Sequence, residues 1–220
     1  MKIKQIKNKN KILFSSLLES RIYLGTNNKS WDPKMAQYLF GVRNGFCVFK
    51  LEKTLAYLRK ATKIISKVHL SKKKILFIGF PKSEKYFLIP LFLASGHLYT
   101  DDKFWFNGIL TNGKHFNICI NIFKEIIRLK KKSDQLLFFK KFGGTYFFKK
   151  TPSLVVIYNH SGNLEALKEA SRMGIPVVSF VNSDSNPEQT DYPVPGNFMS
   201  GPAGKLYGKI IGILLKNKMK

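Results

Sequence analysis

A chain of 220 residues, 44% of them hydrophobic, is long enough for one generous domain or a domain with an appendage, and too apolar for global disorder. Thirty-eight Lys and Arg face thirteen Asp and Glu, a formal charge of +25. Such an excess repels itself in the folded state and implies a polyanionic partner, nucleic acid ahead of an anionic membrane surface.

Residues 1–11 carry five lysines and no acid. They lack the apolar core of a secretory signal and the Arg and Ser enrichment of a transit peptide, so they read as a basic tail able to lie on nucleic acid. Residues 12–111 form the first part of an α/β domain. It opens loop-rich, punctuated by Gly25, Asn27, Asn28, Pro33, Gly41, Asn44 and Gly45, with a short helix near Leu13–Ser20. Phe46–Lys50 reads as a first strand. Leu51–Val68 follows as a helix with Leu51, Leu55, Leu58, Ile65 and Val68 on its apolar stripe. Ile75–Phe80 is an all-apolar strand of the kind covered on both faces. A helix over Ser83–Ala94 must kink or split at Pro90, and His97–Thr100 is a third strand.

Residues 112–150 read as an inserted helical hairpin. Phe116, Ile120, Phe123 and Ile127 mark its first helix, Asp134–Lys141 the second, and Gly143-Gly144 the stop. Residues 151–220 complete the domain. Leu154–Tyr158 is a fourth strand, followed by a helix with Leu164, Leu167, Ala170 and Met173 inward. Pro176–Val181 is a fifth strand, and a last helix spans Gly204–Leu215. Strand and helix alternate, so the fold class is α/β, a five-stranded parallel sheet with helices on both faces. No segment is long and apolar enough to span a membrane; the longest apolar stretch, residues 86–95, contains Pro90.

In such sheets ligands bind outside the carboxyl ends of strands, so the polar, proline-rich loop after the fifth strand is tested for chemistry. It contains Asn182, Asp184, Asn186, Pro187, Asp191, Tyr192, Pro193, Pro195, Gly196 and Asn197. Asp184, Glu188 and Asp191 could cluster, but Asp and Asn side chains also hold turns, and the prolines stiffen them. His69, His97, His115 and His160 are scattered, and His160, just past a strand end, is the best catalytic candidate. No phosphate-loop glycine pattern, nucleophile elbow or metal-ligand spacing accompanies it, so the expectation is no enzyme, no cofactor, no metal and no small-molecule substrate. The alternative kept open is a sheet-based enzyme or small-molecule binder using His160 or Asp184. Cys47 and Cys119 lie in apolar stretches and read as free thiols.

The phosphate-contact candidates are dispersed: Lys34 and Arg43; Lys53, Arg59, Lys60 and Lys63; Lys72, Lys73 and Lys74; Arg128, Lys130, Lys131 and Lys132; Lys140 and Lys141; Lys149 and Lys150. Contacts from so many elements suit a large folded RNA.

Several stretches then carry a resemblance: "LLESRIYLGT", "WDPKM", "GVRNGFCVFKLEKTL", "FNGILTN", and "EALKEASRMGIPVVSFVNSDSNPEQTDYPVPGN". In content and order they resemble the small ribosomal subunit protein S-two family of bacteria and organelles, over about Leu17–Tyr207. This sequence departs from the family pattern in having Thr26 after Gly25, Gly113 in place of a Trp, Tyr158 in place of an Asp, Asn186 before Pro187, and Phe198, Met199 and Ser200 after the final Gly-Asn. The resemblance implies a flavodoxin-like doubly wound sheet with a protruding helical hairpin. It implies small-subunit rRNA and neighbouring ribosomal proteins as partners, and no membrane and no catalysis. In bacteria it implies a hold on the messenger-binding protein S-one. Richness in Lys, Asn, Ile and Phe suggests an AT-rich gene and synthesis inside an organelle, mitochondrion before plastid before bacterial cytoplasm.

Overall fold

Two sheets divide the strands. The computed structural model describes residues 13–100, 105–128, 144 and 151–216. Helix α1 (residues 13–19) leads into an antiparallel sheet of β1 (Leu24–Asn27), β2 (Leu39–Arg43) and β3 (Phe46–Phe49), in the order β1-β3-β2. Asn44 and Gly45 join β2 to β3 at φ of 50° and 77°, left-handed at both positions, which is what a two-residue hairpin turn requires. The strand expected at Phe46–Lys50 therefore exists, but it is the centre of this separate sheet and not a member of the parallel one.

The parallel sheet comprises β4 (Ile75–Ile78), β5 (Leu98–Thr100), β6 (Leu154–Ile157), β7 (Val177–Val181) and β8 (Tyr192–Pro195), in the order β5-β4-β6-β7-β8. Counted within the sheet that is 2-1-3-4-5, the flavodoxin-like order. The five strands are thus recovered in number but not in membership. The fifth is Tyr192–Pro195, inside the segment expected to be loop. Pro193 and Pro195 are compatible with it because β8 is an edge strand, with one side free of ladder bonds.

Successive residues of β4 and β6 point to opposite faces, and both faces are covered. On one, Ile75, Phe77, Leu154 and Val156 pack under α2 (Leu51–Leu70), α3 (Lys85–Ala94) and α6 (Gly201–Lys216), through Leu58, Ile65, Leu88, Phe92, Tyr207 and Ile211. On the other, Leu76, Ile78, Val155 and Ile157 meet Ile109, Leu110 and Phe116 of α4 (Gly113–Arg128), and Ala166, Leu167 and Ala170 of α5 (Leu164–Arg172). Leu164 and Met173 are exposed rather than inward. The buried face of α5 is Ala166, Leu167, Glu169 and Ala170. Pro90 does not split its helix; the first turn instead tightens into a 3-10 turn at Lys82–Glu84. The tail at 1–11 and the second hairpin helix at Asp134–Lys141 lie outside the described residues. Cys47 is buried and Cys119 half-buried, and both are free.

A buried histidine pair ties α2 to the sheet. His97 Nε2 lies 2.9 Å from His69 Nδ1, and the Ile75 amide donates to His97 Nδ1 at 3.4 Å. The Ile75 contact needs His97 neutral, with its proton on Nε2, which donates to His69 Nδ1. Burial, then the neighbouring His69 and Lys74, push its pKa from 6.5 down to about 4. The folded value is below the unfolded one, so the unfolded chain binds the extra proton. Stability is fully present above about pH 6.5 and drains as pH falls through 4. Urea titrations at pH 7 and pH 4 should differ by on the order of 3 kcal/mol from this group. H97Q should flatten that part of the profile, and an unaltered profile would show that His97 is not its source.

Candidate nucleic-acid interface

Helix α2 assembles the expected cations into one ridge. Its apolar stripe faces the sheet, so Arg59, Lys60, Lys63 and Lys67 are left outside, and Glu52 is the helix's only acid. With a rise of about 1.5 Å per residue, Arg59 to Lys67 covers roughly 12 Å. Exposed Lys72, Lys73 and Lys74 follow in the turn after the helix, where Lys72 takes a φ of 57°, its amide donates to the His69 carbonyl, and the Lys74 ammonium donates to the Gly96 carbonyl. Lys60 lies 5.0 Å from the Tyr57 ring centre, and Lys53, half-buried, 5.8 Å from that of Tyr38, so the aromatic rings hold two of the cations in place. Lys67 was not singled out by scanning for runs of charge. Helical spacing from Lys60 and Lys63 identifies it.

The other described candidates, Arg43, Arg128 and Lys34, lie on other elements. Arg43 closes the β2–β3 hairpin, and Arg128, at the end of α4, is paired with Glu125 at 3.0 Å. Lys34 pairs with Glu188, whose hydrogen bond holds the ammonium above its ordinary range. Lys130, Lys131, Lys132, Lys140, Lys141, Lys149 and Lys150 lie outside the described residues.

The loop after β7 is a clamp between the two sheets. Ser183 Oγ accepts from the Thr26 amide at 2.8 Å and lies 2.6 Å from the Thr26 hydroxyl, while the Ser183 carbonyl accepts from the Asp32 amide at 2.8 Å. Gly25 must be glycine here, since a Cβ would lie 2.7 Å from Ser183 Oγ and 3.2 Å from the Cys47 carbonyl. At the far end, Asn197 donates from Nδ2 to the Leu24 carbonyl and from its amide to the Ile22 carbonyl, both at 2.9 Å. Gly196, at a φ of 147°, leaves no room for a side chain against Ile22. Between these ends the polar residues cap turns. Asn182 accepts from the Ser183 amide, Asp184 from the Ser185 hydroxyl, and Asn186 from the Glu188 amide ahead of the 3-10 turn begun by Pro187. Thr190 and Asp191 bracket Val177. The Thr190 hydroxyl donates to its carbonyl at 3.0 Å, and Asp191 Oδ2 accepts from its amide at 2.8 Å. Asp191→Ala should therefore cost about 1–2 kcal/mol in denaturant unfolding and speed hydrogen exchange at Val177. No change in either would remove this role.

Glu169 is the site residue that sequence reasoning missed. Its carboxylate is buried and accepts from the Gly108 amide at 2.7 Å, the Leu110 amide at 3.0 Å, Trp105 Nε1 at 3.2 Å, and the Thr111 amide and hydroxyl at 3.4 Å. It fixes the "FNGILTN" turn from which α4 departs.

The ligand crevice of this topology lies where strand order reverses, outside β4 and β6. Here α6 covers it. A Cβ on Gly204 would lie 2.8 Å from Pro81 Cβ and 3.5 Å from Tyr158 Oη, and one on Gly208 would lie 2.9 Å from Glu84. The Tyr158 hydroxyl donates to the Phe198 carbonyl, and its ring is 4.7 Å from that of Tyr207. His160 is buried against Ser179 Oγ at 3.0 Å; burial lowers its pKa, with Gln189 and Asp184 acting the other way. Asp184 is exposed and accepts from the neighbouring Ser185 hydroxyl, as in a turn cap. No group of three or more His, Cys, Asp or Glu among the described residues could hold a metal.

An α/β sheet whose crevice is closed by its own last helix, and whose outer helix carries a basic ridge, has the build of a scaffold protein. Residues 17–215 match the family described as Ribosomal protein S2. The chain is 31% identical over 215 residues to the small ribosomal subunit protein uS2 of Treponema pallidum (strain Nichols), covering 91% of this chain and 74% of that one. It is 32% identical over 197 residues to uS2 of Chlamydia abortus, covering 82% and 70%, and 29% identical over 211 residues to uS2 of Sinorhizobium medicae, covering 89% and 82%. The chain belongs to the ribosomal protein S2 family.

Proposed function

We propose that this chain is a structural constituent of the small ribosomal subunit, seated on rRNA by the α2 ridge and held against neighbouring ribosomal proteins. The family match across residues 17–215 carries the reading, and the exposed cations Arg59, Lys60, Lys63 and Lys67 on one face of α2 supply the phosphate-binding surface. Residues 1–11 act as a basic arm, and Lys130–Lys132, Lys149 and Lys150 as further phosphate contacts. Residues 112–150 form the inserted hairpin. Its first arm, α4, leaves Ile118, Ile122 and Ile126 exposed at helical spacing. The compartment is the mitochondrial matrix, supported by the Lys-, Asn-, Ile- and Phe-rich composition; cell fractionation that placed the protein in plastids would replace it. In sucrose gradients at high magnesium the native protein should follow small subunits. Persistence in the soluble fraction would overturn the assignment.

A further inference from the structure

The antiparallel sheet presents an apolar outer face. Phe40 is 81% exposed and Phe46 48%. Beside them lies a groove of about 480 Å³, lined by Phe14, Leu18, Tyr23, Phe40 and Val48, with Lys50 and Glu52 at its rim. One-sided antiparallel sheets ordinarily turn polar residues to solvent, so this face is built to be covered. The edge beside it is open as well. β2 pairs with β3 on one side and with no described strand on the other. In a two-residue hairpin the residues flanking the turn, Arg43 and Phe46, bond each other, which turns the Val42 amide and carbonyl outward.

We propose that the outer edge of β2 and the groove beside it seat an extended apolar segment of a neighbouring small-subunit protein, added as a fourth strand. This rests on the ribosomal reading above. Three observations choose the occupant. An open strand edge offers a ladder of backbone bonds that an extended peptide completes and a helix does not. Of the described residues that line the groove, Lys50 is the one cation and Glu52 offsets it, whereas α2 carries Arg59, Lys60, Lys63 and Lys67 on one face, so RNA is not its match. A second copy, also at +25, is repelled.

The test places a photo-crosslinking phenylalanine analogue at position 40 of the full chain and irradiates assembled small subunits. The expected product joins this chain to one other small-subunit protein. Val42→Pro, which removes the outward amide, should lower its yield at least tenfold while thermal stability stays within a degree or two. Phe40→Asp, at an exposed position, serves if V42P does not fold, read out as loss of that neighbour from purified subunits. Cross-links to RNA, to a second copy or to nothing, in a chain that does sediment with small subunits, overturn this inference and leave the ribosomal reading standing. A chain that never enters the subunit overturns both.

Discussion

Replacing Glu169 with Ala lowers the free energy of unfolding by about 3–5 kcal/mol. The carboxylate accepts five hydrogen bonds from four residues, and the closest donors are the backbone amides of Gly108 and Leu110. Leu110 is buried and its amide has no water to turn to, and an orphaned buried donor costs about 1–3 kcal/mol. Alanine also opens a cavity between α5 and the turn. Glu169→Gln keeps the volume but points an amide group at a cradle made only of donors, so it should recover less than half the loss. Urea denaturation measures both variants. A change below 1 kcal/mol in E169A would show that the cradle closes around water instead. Because the turn launches α4, the same variant should loosen that helix first, seen as faster amide exchange along Gly113–Arg128 than along α2.

Neutralising the ridge gives the largest effect on binding. Changing Lys60, Lys63, Lys67 and Lys73 together to Gln should reduce the slope of log K against log salt for small-subunit rRNA by roughly 3, and weaken binding at 0.1 M salt on the order of 10²–10³-fold. The four side chains are exposed, so unfolding should move little. A control, compared per charge removed, changes Lys205, Lys209 and Lys216, which are also exposed but lie on a different helix, α6. Equal losses from both sets would mean that charge alone, and not the ridge, sets affinity. A slope left unchanged by the first set would remove α2 from the interface.

Local pattern carried the parallel strands that are apolar throughout. β4 and β6 are buried on both faces, so each reads as an unbroken run, and their helices follow from spacing. What local pattern lacks is the identity of a strand's partner. Phe46–Phe49 has the same apolar look as β4, yet it pairs with β1 and β2. The informative signal was Asn44-Gly45, read as loop punctuation although it is the pair a two-residue hairpin favours. β8 was concealed by Pro193 and Pro195, which argue against a central strand and are tolerated at an edge. Asp191 and Asn197 were legible as structural, but their partners, Val177 and Leu24, belong to other elements. Glu169 was illegible for the same reason: a charged residue on an amphipathic helix reads as solvent-facing until the turn that surrounds it is placed. Tyr158, a departure from the family pattern, acquires a reason in its bond to Phe198.

The clamp between the sheets also has a consequence for the order of events at birth. Thr26 and Ser183 are 157 positions apart, and Leu24 and Asn197 are 173 apart. A chain made from its amino end can pair β1 with β3 early, but the bonds to Ser183 and Asn197 form only after those distant residues have been synthesised. Contacts of such separation close slowly, because loop entropy is spent before the bonds form. The β1 side of the small sheet is thus the last to be secured in the nascent chain, and early encounter with RNA or a neighbouring protein would shorten that interval.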